Sequence, residues 1–220
     1  MKNLIAASTL FAVALVSNLA HAADTAELKV KGVIKPVACT PTFAAGGVVD
    51  YGTIQASTLP AGQFKTLDKK QIDLNIKCDS PTKMAIKLAD NRAASKVAGI
   101  VAGVSSSSEE RFNFGLGTVA GKNVGGYALS MDNAATTGDS QAVSGIYSAN
   151  SGSSWSANNG GLDNAGNYFS FAQGGATSPA AIKTLAAKIN VQAVLNKPEN
   201  LPLTQDVPLD GSATLEVVYL

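Results

Sequence analysis

The chain has very few of the side chains on which most enzyme active sites depend. Its 220 residues include a single histidine, His21, and only two cysteines, Cys39 and Cys78. His21 lies in an N-terminal segment that we expect to be removed, which leaves the mature chain without histidine. Ser-His-Asp and Cys-His nucleophile systems and histidine-ligated zinc are then excluded. We therefore expect a protein that is not an enzyme and that carries no metal and no cofactor.

The N-terminus follows the pattern of a secretory signal peptide. Lys2 supplies a positive start, residues 4–16 form an apolar run, and Ala20-His21-Ala22 has the small-x-small form of a cleavage site. We expect residues 1–22 to be cleaved off and the chain to be exported to the periplasm. Beyond this leader, no apolar stretch of the sequence is long enough to span a bilayer.

Charge is scarce and nearly balanced. Lysine and arginine number 17 against 16 aspartates and glutamates, and Lys2 would leave with the leader. A neutral chain with no basic block lacks the electrostatic footprint of a nucleic-acid-binding protein. Low net charge also favours association over repulsion between copies. We expect no nucleic-acid partner.

The two cysteines form an isolated pair in a chain with an export signal. Such a pair predicts a disulfide rather than a metal site, because the compartment outside the cytoplasm is oxidising. The alternative is two free buried thiols. A Cys39–Cys78 bridge would hold the strand around Cys39 beside the strand that ends at Cys78.

Apolar residues alternate with polar ones along most of the chain, which predicts short antiparallel strands. The predicted strands cover 72–78, 84–88, 112–116, 127–131, 168–171, 185–193 and 213–219, with turns at Ser80-Pro81 and at Asn196-Lys197-Pro198. Strands of this length between Gly, Pro and Asn predict an all-β sandwich. Residues 93–102 could form a short helix or a loop.

The middle of the chain is rich in small polar residues. Residues 144–166 are dominated by Ser, Gly and Asn and are expected to form a long exposed loop or irregular hairpin within a larger insertion at 104–166. Trp155 is the one large apolar side chain of this stretch. It could stack on a sugar, although a loop tryptophan more often packs on its own domain.

The segment before Cys39 is strand-like but stands alone. Its apolar positions fall on one face (Ala26, Leu28, Val30, Gly32, Ile34), and its charged positions fall on the other (Glu27, Lys29, Lys31). Alternation of this kind predicts a half-buried strand. Because the segment lies outside the loop between the cysteines, it either folds back on its own domain or completes another protein's sheet.

The chain ends on an alternating strand with a penultimate tyrosine, Tyr219. Together with the leader, the glycine-containing arm and the two cysteines, this ending resembles the chaperone–usher fimbrial subunits (pilins) of Gram-negative bacteria. The matching stretches are 28–34, 50–54 followed by Leu59, and Gly211 with 213–219. Asp50-Tyr51-Gly52 and Asp90-Asn91-Arg92 indicate a divergent, fimbrial-like subgroup.

The resemblance implies an incomplete immunoglobulin-like β-sandwich that lacks its last strand, over residues 36–220, behind a donor-strand arm at 23–35. In this family the empty groove receives a strand from a periplasmic chaperone. It then receives the arm of the next subunit, delivered through an outer-membrane usher. The arm residues that would insert are Leu28, Val30 and Ile34, with Gly32 where the groove is shallow. The residues that would line the acceptor groove and contact the chaperone are Gly211, Ala213, Leu215, Val217 and Tyr219.

The function implied is that of a structural subunit of a fimbria on the cell surface, which contributes to adhesion; the resemblance identifies no receptor or glycan. One alternative is a soluble periplasmic or secreted binding module whose N-terminal strand folds back on its own domain. Another is a tip adhesin, although adhesins usually carry a separate N-terminal binding domain.

Overall fold

The computed structural model describes residues 26–220. The predicted leader and the first arm residues, 23–25, lie outside this range. The chain divides into two units, Met1–Lys35 and Pro36–Leu220, and the strands of the described residues all belong to the second. In residues 26–220, no helix has the length and apolar character needed to cross a membrane.

The second unit consists of strands and short 3₁₀ turns. The strands are β1 (Cys39–Phe43), β2 (Lys65–Thr66), β3 (Lys70–Asp90), β4 (Phe114–Gly115), β5 (Thr118–Val119), β6 (Lys122–Asn123), β7 (Gly125–Met131), β8 (Thr137–Gly138), β9 (Gln141–Ala142), β10 (Ser144–Ser148), β11 (Ser156–Ala157), β12 (Gly161–Leu162), β13 (Tyr168–Ala172), β14 (Ala181–Leu195) and β15 (Ala213–Tyr219). The 3₁₀ turns are Ala44–Gly47, Ala56–Thr58, Ala93–Ser95, Glu110–Phe112, Asn133–Ala135 and Pro198–Asn200. The possible helix at 93–102 is therefore limited to one short turn.

The long strand β3 belongs to two sheets. Its first half pairs with β1 on one side and β14 on the other, and its second half pairs with β13 and β15. The predicted turn at Ser80-Pro81 is wrong, because the strand continues through these residues while changing sheets. Pro81 fits there since the pairing with β14 shifts register between Ile182 and Thr184, where a missing N–H breaks no ladder bond.

Each half of β3 organises one antiparallel sheet. The first sheet runs β1-β3-β14-β7-β12, with β2 and β8 on β14 and β4 on β7; the second runs β11-β10-β13-β3-β15. Side chains from both halves of β3, among them Leu74, Ile76 and Ile86, are buried in one cluster with Leu185 and Phe171. The common core confirms the predicted all-β, immunoglobulin-like sandwich.

The predicted disulfide is present. Cys39 of β1 lies directly opposite Cys78 of β3, and the S–S distance is 2.02 Å. The bridge closes a long loop and contributes about 4 kcal/mol to stability in the chain-entropy description. It fixes β1 to the strand that both sheets share.

The middle of the chain is more ordered than its composition indicates. Of the two alternatives expected for residues 144–166, the irregular hairpin is confirmed, because β10 pairs with β11 in antiparallel fashion. The exposed loop is wrong, since Ile146 and Leu162 are fully buried. Ser148 is also buried. Its hydroxyl remains satisfied there, because it donates a hydrogen bond to the Asn150 side-chain oxygen and accepts one from the Gly152 N–H. The wider insertion predicted at 104–166 includes β7, which pairs along β14 in the first sheet. Of the strand predicted at 112–116, only residues 114 and 115 form a strand, which is β4.

Trp155 is half-buried. The Trp155 ring lies beside Gly152. The side chains of Leu220 and Tyr168 lie beside the same glycine, and all three come within 4 Å of the position that a Gly152 Cβ would take. This placement agrees with a tryptophan that packs on its own domain.

Candidate strand-binding groove

A groove runs along the sandwich between β15 and the segment 48–54. It consists of a deep part of about 280 Å³ and a wider part of about 910 Å³. The two parts share Val49, Tyr51 and Leu209 in their walls, which makes them one continuous depression. We call this depression the strand groove.

One wall of the groove is the outer edge of β15. Among the described residues, β15 pairs with β3 alone. The N–H of Asn91 bonds to the carbonyl of Ser212, and the N–H of Leu220 bonds to the carbonyl of Lys83, which places the even-numbered residues of β15 on the β3 side. In an antiparallel pair, alternate residues direct their backbone groups to opposite edges. The N–H and C=O groups of the odd-numbered residues 213, 215, 217 and 219 therefore point away from β3.

The predicted acceptor residues lie along this same edge. Gly211, Ala213 and Leu215 line the deep part of the groove. Val217 is half-buried and packs against the core beside them. Tyr219 lies at the end of β15, half exposed, and its hydroxyl accepts a hydrogen bond from the Cys39 N–H at 2.8 Å.

Glycine is needed at position 211 because the backbone there passes close to an aromatic ring. A Cβ at this position would lie 2.8 Å from the ring of Tyr127, which forms part of the groove floor. Tyr127 is itself fixed, because it stacks on Phe114 with 5.3 Å between ring centroids. Burial, reinforced by the charge of Asp90, raises the pKa of the Tyr127 hydroxyl well above its ordinary value. The Tyr127 side chain in the groove floor is therefore uncharged at physiological pH.

The opposite wall is a segment without regular secondary structure that is held by a tyrosine. Residues 48–54 belong to no strand, although the backbone is extended at Val48. The Tyr51 hydroxyl donates to the Val191 carbonyl at 3.0 Å and accepts from the Ala193 N–H at 3.2 Å. Burial is the main cause that raises the pKa of Tyr51. The hydroxyl thus anchors this wall to β14, and sequence reasoning had not assigned Tyr51 that role.

The chain entering β15 is held by an ion pair. Arg92 donates to both carboxylate oxygens of Asp210, from Nε at 2.9 Å and from Nη2 at 3.0 Å. The Asp210 N–H bonds to the Leu116 carbonyl at 3.0 Å. Asp90 in turn accepts from the backbone N–H of Arg92 at 2.9 Å. These contacts fix the segment that carries Gly211, a role that the sequence pattern Asp90-Asn91-Arg92 did not reveal.

The arm, described by itself, differs from the predicted half-buried strand. Residues 26–38 are assigned to no strand, and the side chains of Leu28 and Ile34 are 89% and 99% exposed. Val30 is 91% exposed, and no atom of residues 26–220 lies within 4 Å of the position that a Gly32 Cβ would take. A strand needs partners for its N–H and C=O groups, so an arm without one remains irregular.

One family model and two known proteins match the chain. A family model described as "Protein of unknown function (DUF1120)" matches residues 28–128. The chain is 29% identical over 243 residues to "Uncharacterized protein YhcF" of Escherichia coli (strain K12), covering 100% of this chain and 99% of that protein. It is 28% identical over 253 residues to "Protein GltF" of the same organism, covering 100% and 98%. The chain is similar to this group of proteins. The match to the family spans most of the arm, both cysteines and the Tyr51 wall of the groove.

Proposed function

We propose that the chain is a structural subunit of a surface fimbria that contributes to cell adhesion. After export to the periplasm, a chaperone strand fills the strand groove. The arm of a neighbouring subunit then replaces that strand at an outer-membrane usher. The observation that carries the proposal is the open edge of β15, whose backbone groups and inward side chains both face the groove.

The chemistry is β-strand addition. An inserted strand would pair with the free N–H and C=O groups of residues 213, 215, 217 and 219, and main-chain bonds of this kind provide affinity. Its alternate side chains would enter the groove over the floor at Tyr127 and provide specificity. An open sheet edge of this length is an aggregation hazard, so a protein of this kind needs a partner that covers the edge before assembly.

The arm has the features that such an insertion requires. Side chains that alternate along a strand lie on one face about 6.6 Å apart. Leu28, Val30, Gly32 and Ile34 alternate in sequence, so they would adopt this spacing once the arm is inserted as a strand. On the groove side, Ala213, Leu215 and Val217 repeat with the same period. The neutral balance of the chain adds no long-range repulsion between copies.

Deleting residues 23–34 tests the proposal. We expect the shortened chain to co-purify from the periplasm with a chaperone and to form no polymer, whereas the full chain forms SDS-resistant ladders that dissociate on heating. A stable full-length monomer without any partner would contradict the proposal. Unfolding of the shortened chain would favour the binding module whose arm completes its own sheet.

Two matched pairs of variants separate the arm from the groove. Val30→Lys puts a charge on the inserting face, and Lys29→Gln changes the opposite face. Ala213→Trp fills the groove from an exposed position, and Glu216→Gln alters the other face of β15, where it pairs with Lys87. We expect Val30→Lys and Ala213→Trp to abolish the ladders and the two control variants to preserve them. If Val30→Lys polymerised normally, the arm would not be the inserted strand, and if Ala213→Trp polymerised normally, the strand groove would not be the acceptor.

A further inference from the structure

A second cavity lies away from the strand groove, among the residues from Ser106 to Phe169. It has a volume of about 230 Å³ and shares no lining residue with the groove. The lining residues that matter for its chemistry are Arg111, Phe112, Tyr147, Asn159 and Asp163. We call it the Arg111 cavity.

The cavity contains a buried donor without a partner. The Nε atom of Arg111 is buried, and it forms no hydrogen bond with the described residues. The Oδ2 atom of Asp163 is 3.7 Å from this Nε, beyond hydrogen-bond distance. Folded proteins pair nearly all buried polar groups, and an exception calls for a specific cause. An acceptor that enters the cavity would supply the missing partner.

The acidic side of the cavity is firmly held. Asp163 is 2% exposed, and its carboxylate accepts hydrogen bonds from the Ala165 N–H at 3.0 Å and the Asn167 amide at 2.7 Å. A carboxylate has about four acceptor sites, so capacity remains for a ligand donor. Arg111 Nη2 is bound to Glu109 at 3.0 Å. Glu109 does not line the cavity, and the formal charges of the two charged lining residues, Arg111 and Asp163, cancel. The cavity therefore has no excess positive charge that would attract an anionic ligand.

Aromatic rings form the apolar part of the cavity. Phe112 is buried beneath the guanidinium of Arg111, whose Cζ lies 5.1 Å from the ring centroid. Tyr147 is half-buried at the cavity wall. Asn159 is exposed at the rim and offers both a donor and an acceptor. A ligand for this cavity therefore needs an apolar ring face and several groups that both donate and accept.

We propose that the Arg111 cavity binds a neutral pyranose, as a free monosaccharide or as one unit of a glycan. A sugar hydroxyl accepts from Arg111 Nε and donates to Asp163, while the ring packs against Tyr147. The cavity is smaller than the roughly 300–1,000 Å³ of sites for drug-sized ligands, which fits a single ring. This site is independent of strand insertion, because a fimbrial subunit and a secreted binding module could both carry it.

Saturation-transfer NMR on the full chain, in the form in which it purifies, tests the proposal. The probes are the methyl glycosides of glucose, galactose, mannose and N-acetylglucosamine, with N-acetylneuraminic acid as the anionic comparison. We expect at least one neutral glycoside to receive saturation and the anionic sugar to receive none. We expect Tyr147→Ala and Asn159→Ala each to weaken its binding by about tenfold, whereas Gln173→Ala, an exposed amide outside the cavity, leaves binding unchanged.

Asn159→Ala changes an exposed side chain, so it remains informative even if Tyr147→Ala impairs folding. Three results would overturn the proposal: no transfer to any neutral glycoside at about 10 mM, a preference for the anionic sugar, or wild-type binding in the Asn159→Ala variant.

Discussion

The hydroxyl of Tyr219 accepts a hydrogen bond from the backbone N–H of Cys39 at 2.8 Å. This bond joins the last residue of β15 to the first residue of β1, across 180 positions of sequence. Cys39 is at the same time bonded to Cys78 of β3. One end of β15 is thus connected to the edge of the other sheet at the disulfide.

Tyr219→Phe should weaken this connection without changing the packing of the ring. The Cys39 N–H would lose its protein partner but can bond to water, because the pair is exposed. We expect a loss of about 0.5–1 kcal/mol in the free energy of unfolding, measured by denaturant titration. Tyr168→Phe, the same chemical change on β13 of the same sheet, is the control. A Tyr219→Phe variant as stable as the wild type would show that the bond contributes nothing.

Gly211→Ala tests whether the close approach to Tyr127 shapes the groove. The added methyl group would lie 2.8 Å from a ring that is buried and stacked on Phe114, so neither side can move freely. We expect destabilisation of about 1–3 kcal/mol in denaturant unfolding, as in other overpacked sites. Gly103→Ala is the matched control, because a Cβ at Gly103 would have no atom within 4 Å in the part of the chain that the structure describes. Equal stability of the two variants would contradict the close contact.

The sequence predicted the strands in which apolar and polar residues alternate. The strand expected at 213–219 is present as Ala213–Tyr219, and the strand expected at 185–193 lies within Ala181–Leu195. Alternation succeeds there because alternate side chains are buried along residues 185–189 of the longer strand and half-buried at Leu215 and Val217 of the shorter one. The disulfide was also predictable, since an isolated pair of cysteines behind a predicted export signal indicates a disulfide rather than a metal site.

Features that depend on distant partners could not be predicted from local patterns. Pro81 is a strong turn signal, and only the register shift opposite it in β14 shows why the strand continues. The Ser-, Gly- and Asn-rich sequence around Ser148 predicts an exposed loop or an irregular hairpin. It does not reveal the hydrogen bonds to Asn150 and Gly152 that satisfy the buried hydroxyl. Tyr51 reaches partners about 140 positions away, and no local pattern marks such a contact.

Tyr51→Phe tests whether this hydroxyl anchors the groove wall. The change leaves the Val191 carbonyl and the Ala193 N–H without their partner, in a part-buried position. We expect a loss of about 1–2 kcal/mol in the free energy of unfolding, since both hydrogen bonds disappear. Amide hydrogen exchange should also become faster at Ala193, while the amides that link β10 to β13 keep their wild-type rates. Unchanged exchange at Ala193 would mean that the wall is held by packing alone.

Asp210 should make stability depend on pH in the acidic range. The hydrogen bond and charge of Arg92 lower the pKa of this carboxyl below its ordinary value of 3.8. An ionised carboxylate therefore stabilises the folded chain above pH 3.8, and this contribution disappears as the pH falls through the lowered pKa. The effect is small because the pair is exposed to solvent.

The measurement is the denaturation midpoint of the wild type and of Asp210→Asn at a series of pH values. We expect the wild type to be the more stable protein at neutral pH, by a difference that is constant down to about pH 5 and shrinks below pH 3.8. Asp206→Asn, which removes an exposed carboxyl in the same segment, is the control variant. A difference between wild type and Asp210→Asn that widens on acidification would require Asp210 to be stabilised in its protonated form, which the two hydrogen bonds from Arg92 oppose.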